Sequence, residues 1–228
     1  MLDVINKKEY FLWNDKRIAD RNNHSLKGIQ DAWLISQFGS KSDLKIAEIG
    51  GGDSRVLIRL KQKNECWNID KFEGVGCGPT DIPEMADIKM VKSYMGDFDI
   101  NIPRNYFDVL FSISVIEHVP IDKVMLFFQD CYRVLKPGGI MAHAIDAYVR
   151  DVTTKRLEII ELYKQAVETQ GFEWDSPPKI DKNLRFKSTF ASNSDLTLAG
   201  WNRLAPSLRS TREDSQSISI KLLAYKKR

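Results

Sequence analysis

The chain is poor in the residues that staple small folds or hold metals. Cys66, Cys77 and Cys131 are its three cysteines among 228 residues. An odd, unclustered set argues against a disulfide framework or a cysteine-rich metal site, and for a reducing, cytoplasmic setting. Its three histidines, His24, His118 and His143, leave few candidates for acid–base chemistry near neutral pH. No apolar run approaches the roughly 18 residues of a membrane span. The opening MLDVINKKEYFLWNDK has neither the apolar core nor the small-residue cleavage site of a signal peptide. Charge is nearly balanced, with 34 basic against 31 acidic residues, a net +3. That is far from the one-sided field of a dedicated nucleic-acid binder. Internal repeats and low-complexity tracts are missing too. With 43% hydrophobic and 29% charged residues, the composition is that of a soluble globular protein. The length suits one domain with decorations.

Strands and helices alternate along the chain. Residues 1–42 read as a polar-aromatic helical segment, with apolar positions 26, 29, 33, 34 and 38 at near-helical spacing. LKIAEIG then reads as a buried strand, and Asp53 or Ser54 as the N-cap of the helix SRVLIRLKQK. ECWNID is a second strand, residues 88–93 a weak third, and YFDVLFSIS a strongly apolar fourth. IDKVMLFFQDCYRVLK is an amphipathic helix, with Pro137-Gly138-Gly139 as its stop. GIMAHAID is the fifth strand, residues 152–170 a helix ended by Gly171, and SISIKLLAYKK a last strand. This order predicts an α/β fold of βαβ units around a mostly parallel sheet. In such sheets ligands lie at the carboxyl ends of the strands.

The stretch KIAEIGGGDSRVL puts Gly50, Gly51 and Gly52 straight after a strand. A dinucleotide fingerprint G-x-G-x-x-G needs a third small residue for helix–strand packing, and Arg55 stands there instead. The P-loop pattern fails as well, since no Lys-Ser or Lys-Thr pair follows. The remaining reading is a turn that lets a nucleoside with a small charged tail lie on the backbone. Glu48 would repel a pyrophosphate and attract an ammonium.

AEIGGGDS resembles the first motif of class I S-adenosylmethionine (SAM)-dependent methyltransferases. Asp70, 20 residues after Gly50, matches the acid placed on ribose hydroxyls. Gly96-Asp97-Phe98 resembles the segment that contacts adenine, with Phe72 or Phe98 flanking the ring. FDVLFSISVIEHV, RVLKPGG and the GFE after a helix continue the resemblance, which covers about residues 44–175. It implies a Rossmann-like fold with a seven-stranded twisted sheet, helices on both faces, and SAM as cofactor. It also implies a cofactor site made by Glu48, Gly50, Gly51, Gly52, Asp70, Lys71, Gly96, Asp97, Phe98, Ser112 and Ser114. The chain then divides into an N-terminal lid or substrate segment, 1–42, and a SAM-binding domain, 43–228, with a variable substrate region at about 176–212.

Methyl transfer to a hydroxyl needs a general base, most often His. His118 after the fourth strand, His143 in the fifth, and Asp146 three residues on are the candidate catalytic residues. Strand alternation puts His143 and Ile145 on one face and Asp146 on the other. Packing roles for both histidines stand beside this reading. Without clear ligand spacing these three do not make a metal site. SISVIEH replaces the N/D-P-P-Y/F signature of amino methyltransferases acting on DNA adenine or protein glutamine. No Pro-Cys nucleophile for cytosine is present either. In its phrasing the chain resembles bacterial surface-polysaccharide and sugar-modifying methyltransferases. The expected partner is thus a small-molecule acceptor, sugar-linked or anionic, O-methylated, with nucleic acid disfavoured. Arg17 and Arg21, or Lys179, Arg185, Lys187 and Arg203, would meet an anionic acceptor. Alternatives are an RNA or protein methyltransferase and a SAM-binding regulatory protein without turnover; an NAD-dependent oxidoreductase is weakened by Arg55.

Overall fold

The computed structural model describes residues 1–16, 18, 26–74, 78–149, 155–180 and 216–228. His24, Arg17, Arg21, Cys77, Arg185, Lys187, Arg203 and most of the variable region lie outside the described residues.

Strands β1 (Leu2–Val4), β2 (Lys45–Ile49), β3 (Glu65–Asp70), β4 (Ile88–Lys92), β5 (Phe107–Ile113), β6 (Leu135–Val149), β7 (Phe172–Trp174) and β8 (Gln216–Lys226) form one sheet. Its order is β4-β3-β2-β5-β6-β8. The first five of these strands are parallel, and β8 returns antiparallel to β6. Short strands β1 and β7 both pair antiparallel with β8, around Leu222 and around Ala224–Lys226. Among the described residues the sheet thus has eight strands where seven were expected. The extra one is β1, within a segment whose sequence reads as helical.

Helices α1 (Lys7–Asp15), α2 (Leu26–Phe38), α3 (Arg55–Leu60), α4 (Val124–Val134) and α5 (Lys155–Thr169) complete the fold. Strand alternation divides the apolar residues into two core layers. Ile46, Val109, Phe111, Ala142 and Ala144 share one layer with Tyr10, Trp33 and Phe38 of α1 and α2 and with Val56 and Leu57 of α3. Ala47, Ile49, Leu110, Met141 and Ile145 share the other with Phe127, Phe128 and Val134 of α4 and Val167 of α5. Strand β1 and helices α1 and α2 are therefore part of the sheet and its core. Asn6 and Glu9 form a capping box at the start of α1. Glu9 also accepts from the Lys221 ammonium at 2.6 Å, which ties α1 to β8.

Pro137-Gly138-Gly139 does not terminate α4. The helix ends at Val134, and Leu135 is already extended. The three residues form an irregularity inside β6, whose pairing with β5 jumps from Phe107↔Leu135 to Val109↔Ile140. Gly138 sits at φ +78°, and a Cβ on Gly139 would stand 3.1 Å from the Phe107 carbonyl oxygen. Both glycines are demanded by the bulge.

Candidate functional site

At the carboxyl ends of β2 and β3, each side chain has a local reason for its place. Gly50 (φ +65°) and Gly52 (φ +52°) take backbone conformations that side chains disfavour. Asn68, buried on β3, accepts from the Gly51 amide at 3.2 Å and donates to the Gly52 carbonyl at 2.7 Å. Asp70 Oδ2 accepts from the Gly52 amide at 2.9 Å, and its Oδ1 from the Phe72 amide at 2.8 Å. A Cβ on Gly51 would lie 2.7 Å from Asn68 Oδ1 and 3.0 Å from Glu48 Cδ. The turn is thus a backbone surface braced from below by Glu48, Asn68 and Asp70.

Glu48 is buried beneath the turn and accepts from the Ser54 hydroxyl. Burial pushes its carboxyl up to about 8, with the Ser54 bond opposing. Ser54, not Asp53, caps α3, accepting from the Leu57 amide at 2.9 Å. Arg55, the residue that breaks the dinucleotide fingerprint, makes a two-point pair with Asp31 on α2 (2.7 and 2.9 Å).

Gly96, Asp97 and Phe98 follow β4. Buried Asp130 on α4 accepts from the amides of Gly96 (2.8 Å) and Phe98 (3.1 Å). Its other oxygen pairs with Arg133 Nε at 2.6 Å, and Arg133 reaches the carbonyls of Ile102 and Asp99. The arginine of RVLKPGG therefore shapes the 96–102 loop. Asp97 and Phe98 are exposed, whereas Phe72 is buried. Lys71 pairs with Glu73 at 3.5 Å and lies over the Tyr94 ring.

Two expected residues turn inward. Ser112 and His143 are neighbours across β5 and β6, fully buried, and bonded to each other at 2.7 Å. The His143 ring packs against Phe127 and Phe128, and burial pushes its pKa down to about 3. The base role expected of His143 and the cofactor role expected of Ser112 are corrected accordingly. Both side chains are held in the core on the α4 side, away from any ligand on the sheet edge. His118 is exposed on the 3-10 turn Ile116–His118. Among the described residues, no three His, Cys, Asp or Glu side chains group as metal ligands.

Ser114 and Asp146 come together. Ser114, at φ +55°, donates to Asp146 Oδ1 at 2.8 Å. Gln30 on α2 donates to the same oxygen at 2.5 Å and to Ser219 on β8 at 3.0 Å. Lys27 on α2 reaches Asp146 Oδ2 at 3.2 Å and also the Ser114 hydroxyl. Lys27 and Asp146 keep side-chain exposures of 41% and 24%, so this cluster opens to solvent. Behind it, Glu117 Oε1 accepts from the Asp146 amide at 3.1 Å. Val115, between Ser114 and Ile116, is the side chain that a Cβ on Gly50 would strike, at 2.5 Å. The cluster therefore adjoins the glycine turn. Asn68, Asp130, Lys27, Gln30, Glu117 and Ser219 were not anticipated from the sequence. Of these, Asp130 alone left a local trace, as an acid on the apolar face of α4.

The methyltransferase domain family matches residues 47–143. No curated protein matches the chain. Among solved structures, phosphoethanolamine N-methyltransferase 2 of Haemonchus contortus, in complex with S-adenosyl-L-methionine, is similar at 16% identity and a TM-score of 0.59. The alignment covers 87% of this chain and 52% of that one, so the chain spans about half its length. Geranyl diphosphate C-methyltransferase of Streptomyces coelicolor, in complex with Mg2+, geranyl diphosphate and S-adenosyl-L-homocysteine, is similar at 11% identity and a TM-score of 0.56. That alignment covers 88% of this chain and 79% of that one.

Proposed function

We propose, from the match of residues 47–143 to the methyltransferase domain family, that this chain is a class I SAM-dependent methyltransferase that O-methylates a hydroxyl of a small acceptor, a sugar or surface-polysaccharide precursor. The observation that carries the reading is the Lys27–Gln30–Ser114–Asp146 cluster, partly open to solvent beside the glycine turn. It offers donors and acceptors within one hydrogen-bonded set, which suits a polyhydroxyl ligand. An apolar acceptor would instead strip solvent from the Lys27 and Asp146 charges, which disfavours it. The acceptor-choosing parts are assigned to residues 1–42 and to the 176–212 region.

The turn fits the cofactor. Its brace leaves no room for a Cβ at Gly51, so a ligand can lie on bare backbone there. Asp70 spends one lone pair per oxygen on backbone amides and keeps others for ribose hydroxyls. Glu48, Gly50, Gly51, Gly52, Lys71, Gly96, Asp97 and Phe98 are assigned to hold the remainder. Bound SAM supplies a methyl carbon already activated by its positive sulfur, so the chain's task is alignment and proton removal. Asp146 is assigned to orient the acceptor.

Two measurements test this. SAM raises the melting temperature through binding linkage and NAD does not. S-adenosylhomocysteine is then released from SAM in the presence of pooled methyl glycosides and nucleotide sugars. Release with tRNA or with simple amines alone overturns the hydroxyl assignment.

A further inference from the structure

We propose that Glu117 is the general base of the acceptor site, its Oε2 receiving the proton of the acceptor hydroxyl while Asp146 acts as a positioning residue beside it. The inference rests on the hydroxyl-acceptor reading above.

Geometry comes first. Glu117 sits on the 3-10 turn directly after β5. That turn is fixed by the His118 amide on the Val115 carbonyl at 2.9 Å and by the Tyr163 hydroxyl on the Ile116 carbonyl at 3.2 Å. Of the two carboxyl oxygens, Oε1 is engaged by the Asp146 amide. Oε2 is buried and has no partner. A buried carboxyl oxygen left without a donor is costly and asks for an explanation. A ligand's hydroxyl is the donor that this position calls for. The residue as a whole keeps partial exposure, and Lys27 and Asp146 in front of it are open to solvent. An acceptor can therefore approach from the edge, next to the turn that Val115 packs against.

Charge supports the geometry. The charged groups facing Glu117 are Asp146 on β6 and Lys27 on α2. His118 turns to solvent on the same 3-10 turn, and Tyr163 on α5 is occupied with the backbone. Burial and the Asp146 charge raise the Glu117 carboxyl to about 8, with Lys27 opposing. A carboxyl with that proton affinity is a far better proton acceptor near neutrality than an ordinary one. The step balances. The acceptor O–H proton passes to Glu117 Oε2 as an oxygen lone pair forms the new bond to the methyl carbon. The carbon–sulfur bonding pair stays on sulfur, leaving S-adenosylhomocysteine and a neutral Glu117.

The test uses the full chain and the variants Glu117→Gln and Asp146→Asn. With 13C-labelled glutamate, two carboxyl carbons titrate near pH 8 in the parent protein, those of Glu48 and Glu117; one of the two vanishes in E117Q, and that same one titrates lower in D146N. With the pooled methyl glycosides and nucleotide sugars, E117Q binds SAM with unchanged affinity by calorimetry but loses about 100-fold or more of turnover. The ascending limb of the parent's pH–rate profile, where turnover rises as Glu117 ionises, disappears with it. E117Q turning over like the parent, or no titration above pH 6 lost in E117Q, overturns the assignment and leaves the methyltransferase reading standing. SAM binding without S-adenosylhomocysteine release from any member of the pool overturns the hydroxyl-acceptor reading and this assignment with it. Should E117Q fail to fold, D146N carries the test: a pH–rate limb that does not move toward lower pH refutes the coupling.

Discussion

Replacing Asp70 tests the cofactor turn and the sheet edge together. The carboxylate accepts two backbone amides, Gly52 at 2.9 Å and Phe72 at 2.8 Å. The second bond helps to hold Phe72 at φ +53°, a left-handed conformation that a bulky residue resists. A hydrogen bond to a charged acceptor is worth about 1.5–3 kcal/mol. Because Asp70 is half-buried, the lower end applies, and Asp70→Ala costs about 3 kcal/mol from the two bonds. At roughly 2–4 °C per kcal/mol for a chain of this size, the melting temperature falls by about 6–12 °C. The cofactor term comes on top. Losing one ribose bond of about 1.4 kcal/mol weakens SAM tenfold, and losing two about a hundredfold. Asp70→Asn separates the two roles, since its amide oxygen still accepts one backbone amide while its NH2 faces the other donor. It should show about half of the melting shift. Differential scanning calorimetry and isothermal titration on the same samples read both terms. A D70A protein with parental melting temperature and parental SAM affinity would refute the bracing role and the ribose role at once.

Gly51→Ala forces a methyl to within 2.7 Å of Asn68 Oδ1, so about 1–3 kcal/mol of stability is lost to overpacking, read by denaturant midpoint, together with SAM affinity. His143→Ala strands the buried Ser112 hydroxyl and costs about 1–3 kcal/mol; it lowers the melting temperature, while turnover per folded molecule at low temperature stays near the parent's. Stability against pH carries opposed contributions, Glu48 and Glu117 of one sign and His143 of the other. Glu48, raised from 4.5 to about 8, contributes stability that is fully present below pH 4.5 and lost as pH rises through 8. His143, lowered from 6.5 to about 3, contributes stability present above pH 6.5 and lost as pH falls toward 3. Melting curves across pH 4–9 should therefore lose part of their alkaline slope in Glu48→Gln, the rest belonging to Glu117, and flatten on the acidic side in His143→Ala.

The fold was legible where a strand and its helix each carried enough residues to show a period. β2, β3, β5 and α4 are five to eleven residues long, and their apolar spacing reads directly. β1 and β7 are three residues each, too short for any period, and β1 is a strand because β8 offers it an edge. Pro137-Gly138-Gly139 shows a different failure. Local turn chemistry was read correctly as a break in regular structure, but the break falls within β6 as a bulge, and the helix had already ended. What decided that is the β5–β6 register, which no short window contains.

The same logic separates the two halves of the site. The cofactor turn is local: Glu48, Gly50, Gly51, Gly52 and Ser54 fall within one strand-turn-helix, and Asp70 and Asn68 lie on the strand paired beside it. Apart from Asn68, these are positions that the sequence itself brings forward, because their spacing and their place in the turn coincide. The acceptor cluster draws Lys27 and Gln30 from α2, Ser114 and Glu117 from the end of β5, Asp146 from β6 and Ser219 from β8. Nothing in the chain brings these six near one another before the sheet forms. Even the parity argument, which rightly set Asp146 on the face opposite His143, could not say that α2 covers that face. Strand alternation fixes which side a residue points to, and only packing decides what it meets there. That is why scarcity drew the sequence reading to the histidines, one of which the fold buries against Ser112. A glutamate one position before His118 meanwhile keeps an unpartnered oxygen beside Asp146. Acid–base capacity here is made by environment rather than by residue type: burial and a neighbouring carboxylate give Glu117 the proton affinity usually sought in an imidazole.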